Sequence, residues 1–304
     1  MAHAVVVDDI QQLILAGEQD PQVVVRQGVA GRQLEDGSWW AAYRDSEPHN
    51  RERRESNFVA YIATGVWHHY LVSEDESFLR AMWPTVERAI EFVLSLQSRH
   101  GEIDWAVDGD GKPKGDALVT GCSSIYKSLE CAHNIAVTLD QEQPAWLDAR
   151  TRLGQAIRRK PERFDRTWES KQRYSMDWFY PVLSGAFTGD DARRRIEQYW
   201  KKFVIKGQGV RCVFDEPWVT IAETCELVLA LKAMGNTELA GIVFGWISDK
   251  CYDDGTFWCG LTYPYMVIWP EEKITWTNAV VLMALDALFQ LTPAHDLFSH
   301  DHWH

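Results

Sequence analysis

The sequence predicts an all-α protein, a closed ring of helical hairpins whose long connections gather on one face. Three observations predict this. Apolar residues recur at three- and four-residue spacing almost throughout, and no convincing period-2 run competes. The connections between the resulting helices alternate between short and long. A turn motif of Gly followed by an aromatic recurs just beyond helix ends.

The periodicity places helices over about 5–16, 21–32, 57–71, 76–98, 117–139 and 144–164, then 176–187, 190–205, 219–234, 237–248 and 274–291. Start signals support several of them: Ser73-Glu74-Asp75-Glu76, Asp190-Asp191 and Asn236-Thr237-Glu238 each precede an apolar run. Short links fall at 17–20, 72–75, 140–143, 188–190 and 235–236. Long ones run over 33–56, 99–116, 165–175, 206–218 and 250–273. Short links join antiparallel neighbours, so if every second link is short, the long links emerge on one side. Loops on one face of a rigid scaffold are where binding and catalysis sit.

The turn motif appears as Gln33-Leu-Glu-Asp36-Gly37-Ser-Trp39, as Gln97 to Gly101 and on to Trp105, and as Asp253-Asp254-Gly255-Thr-Phe-Trp258. Repetition at fixed architecture indicates stacked supersecondary units, and no Pro/Ser-rich linker interrupts the chain. One domain over 1–304 is expected, with a loose tail from about 293.

Composition narrows the function. A formal charge of −13 opposes nucleic acid and anionic membranes, because the summed field repels phosphates. No stretch reaches the ~20 apolar residues that span a bilayer. The first residues lack the basic start and cleavage site of a secretion signal. The six cysteines contain no Cys-x-x-Cys pair and suggest no disulfide framework, so a reduced cytoplasmic protein is expected. No cofactor is expected, and no metal. His68 and His69 diverge by about 100° on a helix, and the helix after Ile274 brings no His to join Cys251 and Asp249 in a zinc site. Asp108-Gly-Asp110-Gly reads as a polar turn.

Fifteen Trp stand out, and nine lie in or beside the long loops: Trp39, Trp40, Trp105, Trp168, Trp178, Trp218, Trp258, Trp269 and Trp276. The same loops carry many carboxylates. Aromatic walls with a few acids suit sugar hydrolysis, in which one carboxylic acid protonates the leaving oxygen while another activates water or attacks. Aromatic burial raises the acid's pKa, so two carboxyls can take opposite roles. Bracketed by Trp269-Pro270 and Trp276, Glu271 and Glu272 are the strongest carboxylate candidates. Arg211, Asp215 and Glu216 with Trp218 form a compact polar–aromatic loop suited to ligand contact, and Tyr174, Asp177 and Trp178 at the start of the helix expected over 176–187 are further candidates. Glu223 and Glu226, three apart on an apolar helix, are either a polar end near the pocket or a satisfied buried pair.

The layout resembles the α/α toroids, and the fold expected from that resemblance is a single (α/α)6 toroid. The Gln33–Trp39 run resembles the Gln/Trp repeat of squalene-type cyclases, which staples hairpins and does no chemistry. Two segments resemble glucoamylase-type hydrolases. Pro270-Glu271-Glu272 with Thr275-Trp276-Thr277-Asn278-Ala279 is similar to the region holding that family's catalytic base, which implies Glu271 as base. Gly101-Glu102-Ile103-Asp104-Trp105 occupies the place of the acid-bearing loop, which implies Glu102 or Asp104 as proton donor. Tyr43-Arg44-Asp45-Ser46 resembles the substrate-clamping Arg-Asp pair.

The reading that follows is a toroid enzyme hydrolysing a saccharide or glycoconjugate, with Glu271 or Glu272 opposite Glu102 or Asp104. Trp39, Arg44, Asp45, Trp105, Trp258, Trp269 and Trp276 would hold a small-molecule or oligosaccharide substrate. One alternative is a prenyltransferase-like or terpenoid-cyclase-like toroid holding an isoprenoid in the aromatic pocket. Clustered basic residues for a diphosphate would favour it, whereas Arg44, Arg51, Arg53, Arg54, Lys171, Arg173 and Arg211 are scattered. A non-catalytic binding module is the second alternative.

Overall fold

A computed structural model describes residues 28–44 and 47–300, so the expected helices 5–16 and most of 21–32 lie outside the described residues. Two compact units divide the chain at Glu169 and Ser170. The described residues hold nine α-helices.

In the first unit, strands β1 (Tyr43–Arg44), β2 (Glu47–Pro48) and β3 (Arg53–Glu55) lead into α1 (Ser56–Ser73) and α2 (Glu76–Ser95). After β4 (Ala106–Asp108) come α3 (Val119–Thr138) and α4 (Pro144–Arg159). Asp75 caps α2 by accepting from the Phe78 amide at 3.0 Å, the start signal expected from its sequence. Helix α1 packs on α3, while α2 and α4 close the hairpins behind them. Between α3 and α4 a buried cluster joins Lys127 to Glu130 at 2.6 Å and Arg150 to Glu130 at 2.5 Å, with Arg150 stacked 3.8 Å over Tyr126. Such a group must be satisfied as a whole, since losing one partner strands a buried charge.

In the second unit, α5 (Ser175–Leu183) and α6 (Gly189–Phe203) form one hairpin. Strands β5 (Val204–Ile205), β6 (Gly209–Arg211) and β7 (Trp218–Thr220) lead into α7 (Ile221–Ala233) and α8 (Thr237–Gly245). Strands β8 (Gly260–Thr262) and β9 (Val267–Ile268) precede α9 (Thr275–Phe289). Helix α7 packs on both α5 and α9 and is buried everywhere except Lys232. By contrast α6 buries only Ala192, Ile196 and Phe203, the pattern of an outer helix with one apolar stripe.

The turn motif is a docking device. Gln33 Nε2 donates to Gly37 O at 2.9 Å and to Thr85 O on α2 at 2.9 Å. Gln97 repeats this, donating to Gly101 O at 3.0 Å and to Ala149 O on α4 at 2.8 Å. A Cβ on Gly37 would lie 2.2 Å from Arg88 O, and one on Gly101 2.4 Å from Arg152 O; both residues have positive φ. Only glycine allows that approach.

Two sequence expectations need correction. Strands were not expected, yet β5 to β9 form one antiparallel five-stranded sheet in chain order. Each strand has two or three residues, too few to show an alternation. The expected loose tail is packed over 293–300: Ala294 and Leu297 are buried, and His300 Nε2 lies 2.6 Å from Val182 O. Among the described residues, five of the nine strands lie between 204 and 268. No helix among the described residues is long and apolar enough to cross a membrane.

Candidate active site

Within each unit the long loops meet at the N-termini of the buried helices. The first residue of α1 donates from its amide to Trp105 O at 3.0 Å. That of α5 donates to Cys212 O at 2.9 Å, and that of α7 to Cys259 O at 3.1 Å. One junction therefore recurs three times, tying the start of each hairpin's first helix to the loop that leaves the same hairpin.

In the first unit, charged side chains finish the tie. β3 pairs with β4 antiparallel, aligning Glu55 with Ala106. Arg54 reaches Asp36 at 2.6 Å and stacks 5.3 Å over Trp40. Asp116 is fully buried and accepts from the Thr167 amide at 2.6 Å and its hydroxyl at 2.8 Å. Trp105 and Trp168 meet edge to face at 5.5 Å, and Arg53 sits 5.9 Å over Trp105. A separate cleft of about 370 Å³ in this unit is lined by Glu35, Asp36, Arg88, Glu91 and Phe92 among others, without a tryptophan. It does not suit sugar stacking.

The two expected proton donors have different surroundings. Glu102 is 2% exposed, and Arg163 Nε donates to its Oε1 at 2.8 Å. Burial disfavours its charge, but the Arg163 guanidinium and a hydrogen bond with Ser98 outweigh that and hold the carboxyl below its ordinary value. A carboxyl held low is the poorer proton donor of the two. Asp104 is half-buried and accepts from the Ala106 amide at 3.3 Å and the Gly115 amide at 2.5 Å. Burial prevails over these bonds and over Arg166, and raises its pKa. Glu55, which the sequence did not single out, lies at the N-cap of α1 with Arg53 Nε donating at 2.6 Å. Burial raises its pKa despite that partner.

In the second unit the segment 269–278 carries the expected base. Glu271 and Glu272 are exposed, beside an exposed Trp269 and a partly buried Trp276. Trp218 Nε1 donates to Trp269 O at 2.7 Å, and the two rings meet edge to face at 5.1 Å. Lys273 pairs with Asp254 and holds that carboxyl down at about 2, anchoring the Glu271–Lys273 segment to the Gly255 turn. Asn278 Oδ1 accepts from the Phe257 amide at 3.0 Å. Behind this segment lie Glu223 and Glu226, each 5% exposed. Tyr180 Oη donates to Glu226 Oε1 at 2.6 Å. Burial, then the neighbouring Glu223 charge, push Glu226 well above the usual carboxyl range. Cys259, raised to about 11 by burial, also feels Glu223 and Glu272.

Other expected contacts are redistributed. Trp39 is 5% exposed and donates to Val29 O at 2.8 Å, so it is a staple, and its neighbour Trp40 is the half-buried ring of the pair. Trp178 is buried, stacked on Phe203 at 5.3 Å, with its Nε1 donating to Arg195 O; it is core. Asp177 is buried on α5. Asp215 pairs with Arg173 at 2.9 Å, which lowers its pKa. Glu216 stands 3.9 Å from the same Arg173, and Arg211 donates to Phe214 O at 3.2 Å. Asp215 and Glu216 thus tie their loop to Arg173 on the preceding link, while Arg211 bonds within its own loop. Tyr174 is exposed at the start of α5, and Trp258 packs partly buried against the core of its unit. Arg44 pairs with Glu47 across β1 and β2, while Asp45 lies outside the described residues.

No family model matches the chain. A curated protein of Mycolicibacterium hassiacum, an MMP endo-(1,4)-3-O-methyl-α-D-mannosidase, is 44% identical over 292 residues, covering 96% of this chain and 80% of the relative. The chain belongs to this mannosidase family. It is an enzyme, and its chemistry is saccharide hydrolysis. Among solved structures, a sugar epimerase from a ruminal bacterium matches with TM-score 0.68 and 13% identity, over 94% of this chain and 82% of that one. Cellobiose 2-epimerase of Bacillus thermoamylovorans matches at TM-score 0.67 and 12% identity, covering 96% and 84%. The GH63 mannosylglycerate hydrolase of Thermus thermophilus with Tris matches at 0.67 and 11%, covering 92% of each chain. The fold is the α/α toroid of these neighbours. Nothing in these matches favours the isoprenoid alternative.

Proposed function

We propose that this chain cleaves internal α-(1,4) linkages of a mannan built from 3-O-methyl-D-mannose. The observation that carries the proposal is the 44% identity to a mannosidase of that name over nearly the whole chain. The linkage and the methyl ether come from the relative's name. The exposed tryptophans and carboxylates of the loops are the chemistry that such a substrate needs.

The mechanism proposed is general acid/base hydrolysis. Glu271 takes a proton from water as the water oxygen bonds to the anomeric carbon. The bond from that carbon to the leaving oxygen breaks, and Asp104 protonates the leaving oxygen. Asp104 is preferred to Glu102 because burial favours its protonated form, whereas Arg163 keeps Glu102 charged. Glu271 is preferred because it stands exposed between Trp269 and Trp276, on a segment anchored by Lys273. Trp105, Trp258, Trp269 and Trp276 are the rings proposed to contact sugar.

Two sequence-based expectations join this proposal. The chain acts as one domain, for which a single unfolding transition is the expected observation. It works in a reducing, cytoplasmic setting, a reading supported by six free cysteines. The test is product analysis on a 3-O-methylated α-(1,4)-mannooligosaccharide: shorter oligosaccharides should appear from internal cuts. Release of single residues from one end alone, or no cleavage, contradicts the proposal.

A further inference from the structure

Exposed large apolar side chains are scattered singly over most of the molecule, as at Val72, Val137, Ile242 and Leu282. One segment is different. Tyr263, Tyr265, Met266, Val267 and Trp269 are all exposed within seven residues, with Tyr265 at 80% and Val267 at 57%. They form the β8–β9 hairpin and its exit. No charged residue occurs between Gly255 and Glu271, although the chain carries 75 Asp, Glu, Lys and Arg in 304 residues.

The hairpin is a built surface. Val219 pairs with Leu261 across β7 and β8, and both are fully buried, so that face of the sheet is core. On the opposite face Trp218 pairs with Thr262, and Thr262 with Val267, making one row across three strands. Trp269, two residues on from Val267, falls on the same face and touches Trp218. The Trp218 indole N–H is committed to Trp269 O, which removes a donor that a hydroxyl-rich ligand would use. At the tip, Met266 has φ +56° and its amide donates to Thr262 O at 2.7 Å. A non-glycine residue in that region carries a local cost, and such strain gathers at ligand clamps.

We infer that this hairpin is a specificity platform for the O-methyl groups of the glycan. The inference rests on the proposed function and names the element that would read the substrate. Methylation of a sugar hydroxyl removes a donor and adds apolar surface. An uncharged aromatic and thioether surface rewards both changes, whereas the ionic loops of the first unit would reward neither. An endo-acting enzyme also needs contacts beyond the cleaved bond, and the platform adjoins the segment that holds Glu271. Each methyl covered is worth roughly fourfold in affinity. A surface of this size facing two or three methyls gives about 15- to 60-fold discrimination.

The test uses the full chain and two variants, Tyr265→Ser and Tyr265→Ser/Val267→Thr. Hydrolysis and calorimetric binding are measured on α-(1,4)-mannooligosaccharides of equal length, with and without 3-O-methyl groups. Expected is a rise of about tenfold in KM and Kd on the methylated chain for the double variant. Its kcat should hold, and its change on the unmethylated chain should stay under about threefold. Equal losses on both glycans, or no loss on either, overturn the platform. So does a wild-type dimer that the double variant dissolves in sedimentation, because the surface then meets a second copy. If the wild type binds and discriminates the methylated glycan without cleaving it, the proposed function fails while the platform stands. If it cleaves the glycan but the variant binds it unchanged, only the platform fails.

Discussion

In the first unit the loop ends are joined chiefly by charged side chains, with Arg54 on Asp36, Arg163 on Glu102 and Thr167 on Asp116. In the second, backbone carries more of the joining, through a five-stranded sheet with an uncharged β8–β9 hairpin, beside the Lys273–Asp254 and Arg173–Asp215 pairs. The recurring helix-start junction is common to both, at Trp105, Cys212 and Cys259. The scaffold repeats while the chemistry on it does not. Ionic stitching leaves carboxyls such as Glu102 locked as structural anions. Backbone stitching leaves most side chains of 263–272 exposed.

Five changes test that contrast. The largest effect belongs to the second unit. Glu271→Gln should lower kcat by about 10⁴-fold, the upper range for a general base. Its thermal midpoint should stay at the wild-type value, because the side chain is exposed. Next comes the first unit's staple. Trp39→Ala removes a buried ring and its bond to Val29 O, and urea titration should show a loss of about 3–5 kcal/mol. Activity per folded molecule should hold; lost turnover in a folded variant would return Trp39 to the site.

A smaller effect is expected at Asp104. Asp104→Asn should cost about 100-fold in kcat. A donor with a raised pKa is active below that pKa and fails as pH rises through it, so the variant should also lose the alkaline limb of the pH–rate profile. Glu102→Gln should instead leave that limb in place and weaken the fold. Its carboxyl is lowered in the native state, so its stabilisation is present above the unfolded pKa and lost as pH falls through the folded one. The smallest effect is at Glu226. Its pKa is raised on folding, so the fold binds a proton there, and stability falls as pH rises through the folded value. Glu226→Gln should keep the Tyr180 bond and flatten the fall of Tm as pH rises above the ordinary carboxyl range. An unchanged slope would show that Glu226 is not the group responsible.

Much of this was legible in the chain. Helix positions, the Asp75 and Asn236 caps and the Gly37 and Gly101 turns follow from apolar spacing and backbone conformational freedom, which act locally. The role of each tryptophan was less legible. Trp39 and Trp40 are adjacent and chemically equal, and only the fold decides that the first is a staple and the second half-exposed. The sheet was hidden because strands of two or three residues leave no period. Glu55 was hidden because an acid at a helix start reads as a cap, and its burial comes from the neighbouring loop. Asp215 read as a ligand contact because its partner, Arg173, lies 42 residues away.

The central claim is that this chain hydrolyses a methylated mannan with Glu271 as the base. The direct measurement is a time course of a reducing-end-labelled 3-O-methyl-α-(1,4)-mannooligosaccharide with wild type and Glu271→Gln, followed by mass spectrometry. Early labelled fragments of intermediate length with wild type, and an intact substrate with the equally stable variant, are the predicted result. Equal cleavage by both proteins would contradict the assignment of the base, and an untouched substrate with wild type would contradict the function itself.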